Sequence, residues 1–212
     1  MADSDLAALL CSRLCHDLVS PVGAIQNGLE VLGDESGADM RDQVVELLAS
    51  STRQASDRLR FYRLAFGAGG AFGDVVDTAE AHSAVAGLLV GSRVTLDWSV
   101  RASRAEKRLM KGLLNLVLVG YECIIRDGTL SVALDGQGTA ESLRVSAAAP
   151  RLNVQDSLRG ALQGRKSADD LDPKTAPALL AADIFSAQGL MPVMEEDADG
   201  AGGVVHLRLK AS

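Results

Sequence analysis

The chain has 212 residues and a formal net charge of −7, and at about 100–200 residues per domain this length allows one large domain or two small ones. Its acidic balance and its aromatic content of 3% argue against nucleic-acid binding, which needs a basic surface and base-stacking side chains. Three cysteines without CxxC spacing, Cys11, Cys15 and Cys123, predict neither a disulfide framework nor a zinc site. No signal peptide and no membrane span is recognisable. We therefore expect a cytoplasmic protein with no metal site of its own and no nucleic-acid or membrane partner.

The first predicted element is a long helix over residues 3–33, in which apolar side chains recur every three or four positions. Pro21 lies inside this pattern and is expected to bend the helix. A second helix over residues 39–66 follows a short turn, so the two form an antiparallel hairpin. Two helices leave one side of their apolar stripe open to water. We therefore expect a second copy of the hairpin to close a dimeric four-helix bundle.

Four glycines within residues 67–73 predict a linker. This divides the chain into an N-terminal domain over 1–67, a Gly-rich linker over 68–74 and a second domain over 75–212. In the second domain the hydrophobic period predicts the element order αβαββααββ, an α+β sandwich with helices on one face of a mostly antiparallel sheet. The predicted helices are 77–89, 105–125, 154–163 and 176–188, and the predicted strands are 93–100, 129–134, 142–148, 190–195 and 204–210.

His16 is the most informative residue of the first helix. On a helical wheel it points away from Leu14 and Leu18, so we expect its imidazole to be exposed. Asp17 follows it directly in the sequence. The side chains predicted to share its face are Ser12, Arg13 and Ser20 within about one turn, together with the apolar or small residues Leu9, Val19 and Gly23. An exposed, flat and partly apolar surface of this kind suits docking of another protein.

An uncharged imidazole is a nucleophile that can accept a phosphoryl group, and a neighbouring carboxylate can fix its tautomer and balance its developing charge. A metal site is disfavoured because His82 and His206 have no ligand spacing to His16. Hydrolase chemistry is disfavoured because a convex helix face offers no cleft. Covalent phosphorylation of His16 is the chemistry that these residues favour.

The run His16-Asp17-Leu18-Val19-Ser20-Pro21-Val22 resembles the H-box of the dimerisation and phosphotransfer domain of histidine kinases. In that family an acid follows the phospho-accepting histidine, and a proline stands five residues after it. The second domain resembles the catalytic ATP-binding domain of these kinases in element order, and its nucleotide motifs depart from the family pattern. Val119 stands where the family has the magnesium-binding asparagine, and residues 147–151 and 177–181 replace its two glycine-rich boxes. The resemblance therefore implies a degenerate domain that neither binds nor hydrolyses ATP.

Residues 10–32 closely resemble the histidine phosphotransferases of alphaproteobacterial cell-cycle phosphorelays. The resemblance implies a homodimer that accepts a phosphoryl group on His16 from the receiver domain of a hybrid histidine kinase. It would pass this group to receiver aspartates of response regulators, one of them a DNA-binding master regulator. Magnesium would come with the receiver domain, so the chain needs no cofactor of its own.

These roles place Asp17 as the group that orients the imidazole and balances its charge. Arg13 either contacts the phosphoryl group or is a solvated helix residue, and Ser20 either assists at the site or caps backbone freed by Pro21. The predicted receiver-docking residues are Leu9, Ser12, Val19, Val22 and Gly23. Two alternatives remain open, namely a divergent histidine kinase that uses ATP and a non-catalytic dimeric scaffold that only holds receivers.

Overall fold

The computed structural model describes residues 3–33, 38–67, 74–165, 172–199 and 202–211. The helices are α1 (Asp3–Gly33), α2 (Ala38–Phe66), α3 (Thr78–Leu89), α4 (Lys107–Cys123), α5 (Asp156–Leu162) and α6 (Ala176–Ser186). The strands are β1 (Val75–Asp77), β2 (Arg93–Val100), β3 (Arg104–Glu106), β4 (Asp127–Leu134), β5 (Arg144–Ala149), β6 (Leu190–Asp199) and β7 (Gly202–Ala211). Residues 68–73 of the predicted linker lie outside the described residues.

Helices α1 and α2 form the predicted antiparallel hairpin, and α1 continues through Pro21 without a break. The helices approach closely at Gly28, where a Cβ atom would come within 2.8 Å of the Leu48 side chain. Only a glycine allows this approach without a shift of the neighbour. The hairpin therefore forms from local periodicity and closes where the residues are small.

The second half of the chain builds a five-stranded sheet in the order β2-β4-β5-β7-β6. The β2–β4 pair is parallel, and the other three pairs are antiparallel, so both predicted hairpins, β4–β5 and β6–β7, are confirmed. Strands β1 and β3 pair with each other in a separate two-stranded sheet. The sequence did not predict them, because three residues are too few to show a period. For the same reason the predicted helix over 105–125 is wrong at its start, since residues 104–106 are extended.

Helix α4 lies at the centre of the molecule, with most of its side chains fully buried. One side of it packs against the sheet, where Gly120 stands against Leu130, and the other packs against α2 and α6. Burial on all sides over residues 112–120 explains why this part of the helix is apolar apart from Asn115.

The hairpin and the second half share one continuous apolar core. Leu6, Phe61 and Ala65 belong to the same buried cluster as the side chains of α4 and α6. A buried hydrogen bond from the Asn115 side chain to the Ala65 carbonyl, 2.9 Å long, joins α4 to the end of α2. The hairpin end that carries the H-box is therefore packed against the second half.

By length and composition alone, residues 4–33 of α1 could cross a membrane. A long amphipathic helix of a folded protein passes the same test. In this structure α1 packs along α2 and carries charged residues in contact with other elements. The absence of a membrane partner stays a prediction.

Candidate functional site

His16 is exposed on α1, as predicted, with 75% of its side-chain surface accessible. Its Nδ1 atom lies 3.0 Å from Oδ1 of Asp17. A carboxylate acceptor at Nδ1 selects the neutral tautomer that is protonated there, which leaves the lone pair of Nε2 free. The exposed nitrogen is therefore the nucleophilic one.

Asp17 is mostly buried, with 18% of its side chain accessible. Its Oδ2 atom accepts hydrogen bonds from Arg13 Nε at 3.0 Å and from the Tyr62 hydroxyl. Burial opposes ionisation of Asp17, but the Arg13 charge and the hydrogen bonds from His16, Tyr62 and Arg13 outweigh it and hold its pKa below the usual value. Asp17 is therefore a charged acceptor at neutral pH, oriented from three sides.

Arg13 does not share the exposed face of His16, so this part of the prediction is wrong. The residue is only 5% exposed, and its Nη2 atom lies 2.5 Å from Oε1 of Glu122. Burial lowers the pKa of Arg13, but the charges of Glu122 and Asp17 raise it by more, so the guanidinium stays charged. The helical wheel placed Arg13 on the face of His16, but Glu122 of the second half packs against the Arg13 side chain and covers it.

Pro21 has no N–H, so it cannot donate the helical hydrogen bond to the carbonyl of Asp17, four residues earlier. The side chain of Arg58 on α2 donates to this carbonyl instead. Ser20, which we considered as a cap for the freed backbone, is exposed. The proline therefore creates an acceptor that ties the H-box turn of α1 to α2.

The predicted docking surface is mostly open to solvent. Val19 is 69% exposed and Val22 is also exposed, as is Ser12, and nothing lies within 4 Å of the position of a Cβ atom at Gly23. Leu9 is an exception, because it is half-buried and packs against the core. Helix α6 lies against α1, which a single-helix wheel cannot show.

Three further residues of the site were missed in the sequence. Tyr62 stands at an apolar position of α2, although a buried tyrosine hydroxyl needs a hydrogen-bond partner and so points to a polar neighbour. Glu122 is a charged residue that directly follows the apolar run of residues 116–121 in α4, which is a second available signal. Arg58 gave no signal, because arginine is common on exposed helix faces.

The positions that replace the nucleotide motifs lie in packed regions. Val119 on α4 is fully buried, and Ala147 belongs to the buried face of β5. Ala178 and Ala181 on α6 are also buried in the core. Whether the domain binds ATP stays a prediction.

The model of the histidine phosphotransferase C-terminal domain matches residues 78–200. Protein phosphotransferase ChpT of Brucella abortus (strain 2308) is 45% identical over 135 residues, which are 64% of this chain and 63% of that protein. The match thus spans less than two thirds of the relative. A solved structure of a bacterial phosphotransferase superposes with a TM-score of 0.79 and 31% identity, covering 98% of both chains.

These similarities confirm the fold class expected from the sequence, a helical hairpin followed by a histidine-kinase-like α/β domain. They also agree with the local chemistry of an exposed imidazole held by a buried carboxylate. The chain belongs to the family of ChpT-type histidine phosphotransferases.

Proposed function

We propose that this chain is the histidine phosphotransferase of a phosphorelay and that His16 carries the phosphoryl group. One observation carries the proposal: the exposed imidazole has its Nδ1 atom held by the ionised and mostly buried Asp17. This arrangement gives Nε2 a free lone pair on the open side of the helix. The H-box pattern and the family membership support the same role.

In the proposed reaction, Nε2 of His16 attacks the phosphorus of a receiver aspartyl phosphate in line with the leaving carboxylate. The N–P bond forms as the O–P bond breaks, and the aspartate leaves as a carboxylate. No proton has to leave Nε2, because the imidazole proton stays on Nδ1 and is shared with Asp17. Positioning and charge balance supply most of the rate enhancement in such transfers. Transfer to the next receiver is the reverse of this step.

We assign receiver docking to the open surface beside His16. Val19, Val22 and Gly23 offer an apolar and sterically open patch, and Ser12 and Ser20 add hydroxyls next to it. Magnesium would be held by the receiver, in keeping with the family resemblance. Among the described residues, no three His, Cys, Asp or Glu side chains are grouped closely enough to hold a metal ion.

The proposed assembly is a homodimer. Val45, Thr52 and Leu59 recur every seven residues on α2, and all three are exposed in the single chain. Leu29 on α1 is also exposed. Such stripes are typical of helices that pack in a four-helix bundle.

Size-exclusion chromatography with light scattering should give about twice the chain mass. Leu59→Glu should weaken the dimer, Val90→Glu on an exposed site outside the hairpin should not, and a monomeric wild type would contradict the assembly.

The proposed partners are the receiver of a hybrid histidine kinase as donor and the receivers of response regulators as acceptors, including a DNA-binding master regulator. The cellular context would be control of the cell cycle in the cytoplasm. These proposals rest on the resemblance of residues 10–32 to the cell-cycle phosphotransferases and on the identity to the Brucella protein.

The test is a radiolabel assay with two arms, ATP alone and a phosphorylated receiver domain of a hybrid kinase. Acid-labile label that comes only from the receiver and disappears in His16→Ala would support the proposal. His82→Ala is the matched control, because His82 stacks near Trp98, outside the site, and should keep full labelling. Label from ATP alone would identify a divergent kinase. Receiver binding without labelling would identify a scaffold.

A further inference from the structure

The carboxylate of Asp17 is connected to the second half of the chain through one buried arginine. Glu122 Oε1 lies 2.5 Å from Arg13 Nη2, and Arg13 Nε lies 3.0 Å from Asp17 Oδ2. The other oxygen of Asp17, Oδ1, accepts from His16 Nδ1 at 3.0 Å. Glu122 is on the last turn of α4, more than 100 residues after the H-box. A residue of the second half is therefore linked to the nucleophile by three successive contacts, through Arg13 and Asp17.

Arg13 divides its guanidinium between the two carboxylates. An arginine and a carboxylate that have no other partners commonly bind through two parallel hydrogen bonds, which engage both oxygens of the acid. Here Nε contacts Asp17, Nη2 contacts Glu122, and Nη1 is buried without a hydrogen-bond partner among the described residues. Oδ1 of Asp17 consequently remains available to accept a hydrogen bond from the His16 imidazole.

Burial makes this arrangement effective. Arg13 is 5% exposed and the Glu122 side chain is 20% exposed, so their charges are weakly screened and the pair holds its geometry.

We propose that Glu122 is a positioning residue for phosphoryl transfer at His16. By holding Arg13 Nη2, it keeps Asp17 Oδ1 available to the Nδ1–H group and so keeps Nε2 unprotonated and nucleophilic. The inference rests on the proposed function of His16. It also gives the second half of the chain a part in the chemistry that requires no nucleotide.

The first variant is Glu122→Gln, which keeps the shape of the side chain and an acceptor oxygen but removes the charge. Arg13 is then expected to donate to both oxygens of Asp17 through Nε and Nη2. Asp17 Oδ1 is then no longer available as an acceptor for the His16 imidazole. The ring-nitrogen ¹⁵N shifts of His16 should show a smaller share of the Nδ1–H tautomer. Glu122→Asp keeps the charge on a shorter side chain. Its share of the Nδ1–H tautomer should lie between those of wild type and Glu122→Gln.

The kinetic readout uses phosphoramidate, a small chemical donor that needs no partner protein. Its P–N bond breaks, the N–P bond to His16 forms, and ammonia leaves. We expect the second-order rate constant to fall roughly 3- to 10-fold in Glu122→Gln, since orienting a catalytic group supplies only part of the effect of that group. Thermal unfolding of each variant, followed by circular dichroism, reports its folded fraction at the assay temperature.

The matched control is Glu80→Gln. Glu80 pairs with Arg63 at 3.2 Å and also links the hairpin to the second half, through α3, but this ion pair touches neither His16 nor Asp17. Tautomer and rate changes in Glu122→Gln that exceed those in Glu80→Gln support the proposal. Changes of equal size, or wild-type nitrogen shifts in both Glu122 variants, overturn it. Failure of the receiver assay with altered nitrogen shifts in Glu122→Gln would reject the proposed function and leave the positioning role standing.

Discussion

At the residue scale, His16 and Asp17 differ mainly in exposure, although they are neighbours in the sequence. The imidazole is open to a partner, whereas the carboxylate is mostly buried and has three side-chain donors. In the proposed transfer, this difference lets the His16 imidazole contact a partner protein while the Asp17 carboxylate keeps a fixed orientation. The supporting donors come from α2 and from α1 itself, so the site is held by the packing of the hairpin.

Asp17 should make the stability of the protein sensitive to acid. Its pKa is lower in the folded chain than in the unfolded chain, so its contribution is complete above the unfolded value of about 3.9 and is lost as the pH falls through the folded value. The free energy of unfolding, measured in urea between pH 7 and pH 3, should fall more steeply for wild type than for Asp17→Asn. Asp97 is at an exposed position on β2, so the free energy of unfolding of Asp97→Asn should depend on pH as steeply as that of wild type. Parallel curves for wild type and Asp17→Asn would contradict this.

The three cysteines should differ sharply in reactivity. Cys11 and Cys15 are exposed on α1, whereas Cys123 is buried and its pKa is raised to about 11 by burial and by the charge of Glu122. Alkylation requires an accessible thiolate. Iodoacetamide at pH 8 should therefore add two groups quickly and the third only after denaturation, as counted by intact-protein mass. Rapid addition of three groups would show that the end of α4 is not packed as described.

At the element scale, the missing N–H of Pro21 in α1 permits a hydrogen bond between α1 and α2. Pro21 leaves the Asp17 carbonyl without its helical donor, and Arg58 on α2 supplies the missing one. The proline lowers the intrinsic stability of α1. In return, the turn that carries His16 and Asp17 is held against α2 by the side chain of Arg58.

This account predicts energetic coupling between Pro21 and Arg58. Arg58→Ala alone should lower the free energy of unfolding by about 1–2 kcal/mol, because a partly buried carbonyl loses its charged donor. In a Pro21→Ala background the helix supplies its own N–H, so the same change should cost less, with a coupling of roughly 0.5–1.5 kcal/mol. Urea unfolding of the four proteins at one concentration measures this cycle. Equal losses in both backgrounds would exclude the contact as a stabilising one.

The elements that were predicted correctly are those with enough residues to show a period. The helices α1 and α2 and the strand β2 occur where the spacing of apolar residues places them. The short pair β1–β3 arises from tertiary packing at the start of α4. Its residues carry no local signal that separates a strand from a loop.

At the scale of the whole molecule, the hairpin and the second half meet through a shared core and several polar contacts. Asn115 is fully buried, and its amide donates to the carbonyls of Ala65 and Lys111 at 2.9 and 2.8 Å. The Arg13–Glu122 contact lies on the last turn of α4, about two turns after Asn115. Helix α4 is therefore joined to both helices of the hairpin.

This packing predicts cooperative unfolding. Asn115→Ala should lower the free energy of unfolding by about 1–3 kcal/mol, because two buried carbonyls lose a donor. Far-UV circular dichroism, dominated by the long helices, and fluorescence of Trp98, the one tryptophan in the chain, should give the same midpoint in both proteins. Two separate transitions would mean that the hairpin and the second half are independent domains, as the predicted linker over 68–74 suggests.

The sequence by itself determined the fold class, the long helices and most of the sheet, and it carries the proposal that His16 and Asp17 are the reactive pair. These features depend on local periodicity and on a short motif, both of which can be seen along one chain. Only the tertiary structure decided that Arg13 is buried, that Leu9 is half-covered, and that Tyr62, Arg58 and Glu122 hold the H-box. The physical reason is that these environments are created by elements roughly 40 to 170 residues away, whose contacts leave no mark on the pattern of a single helix.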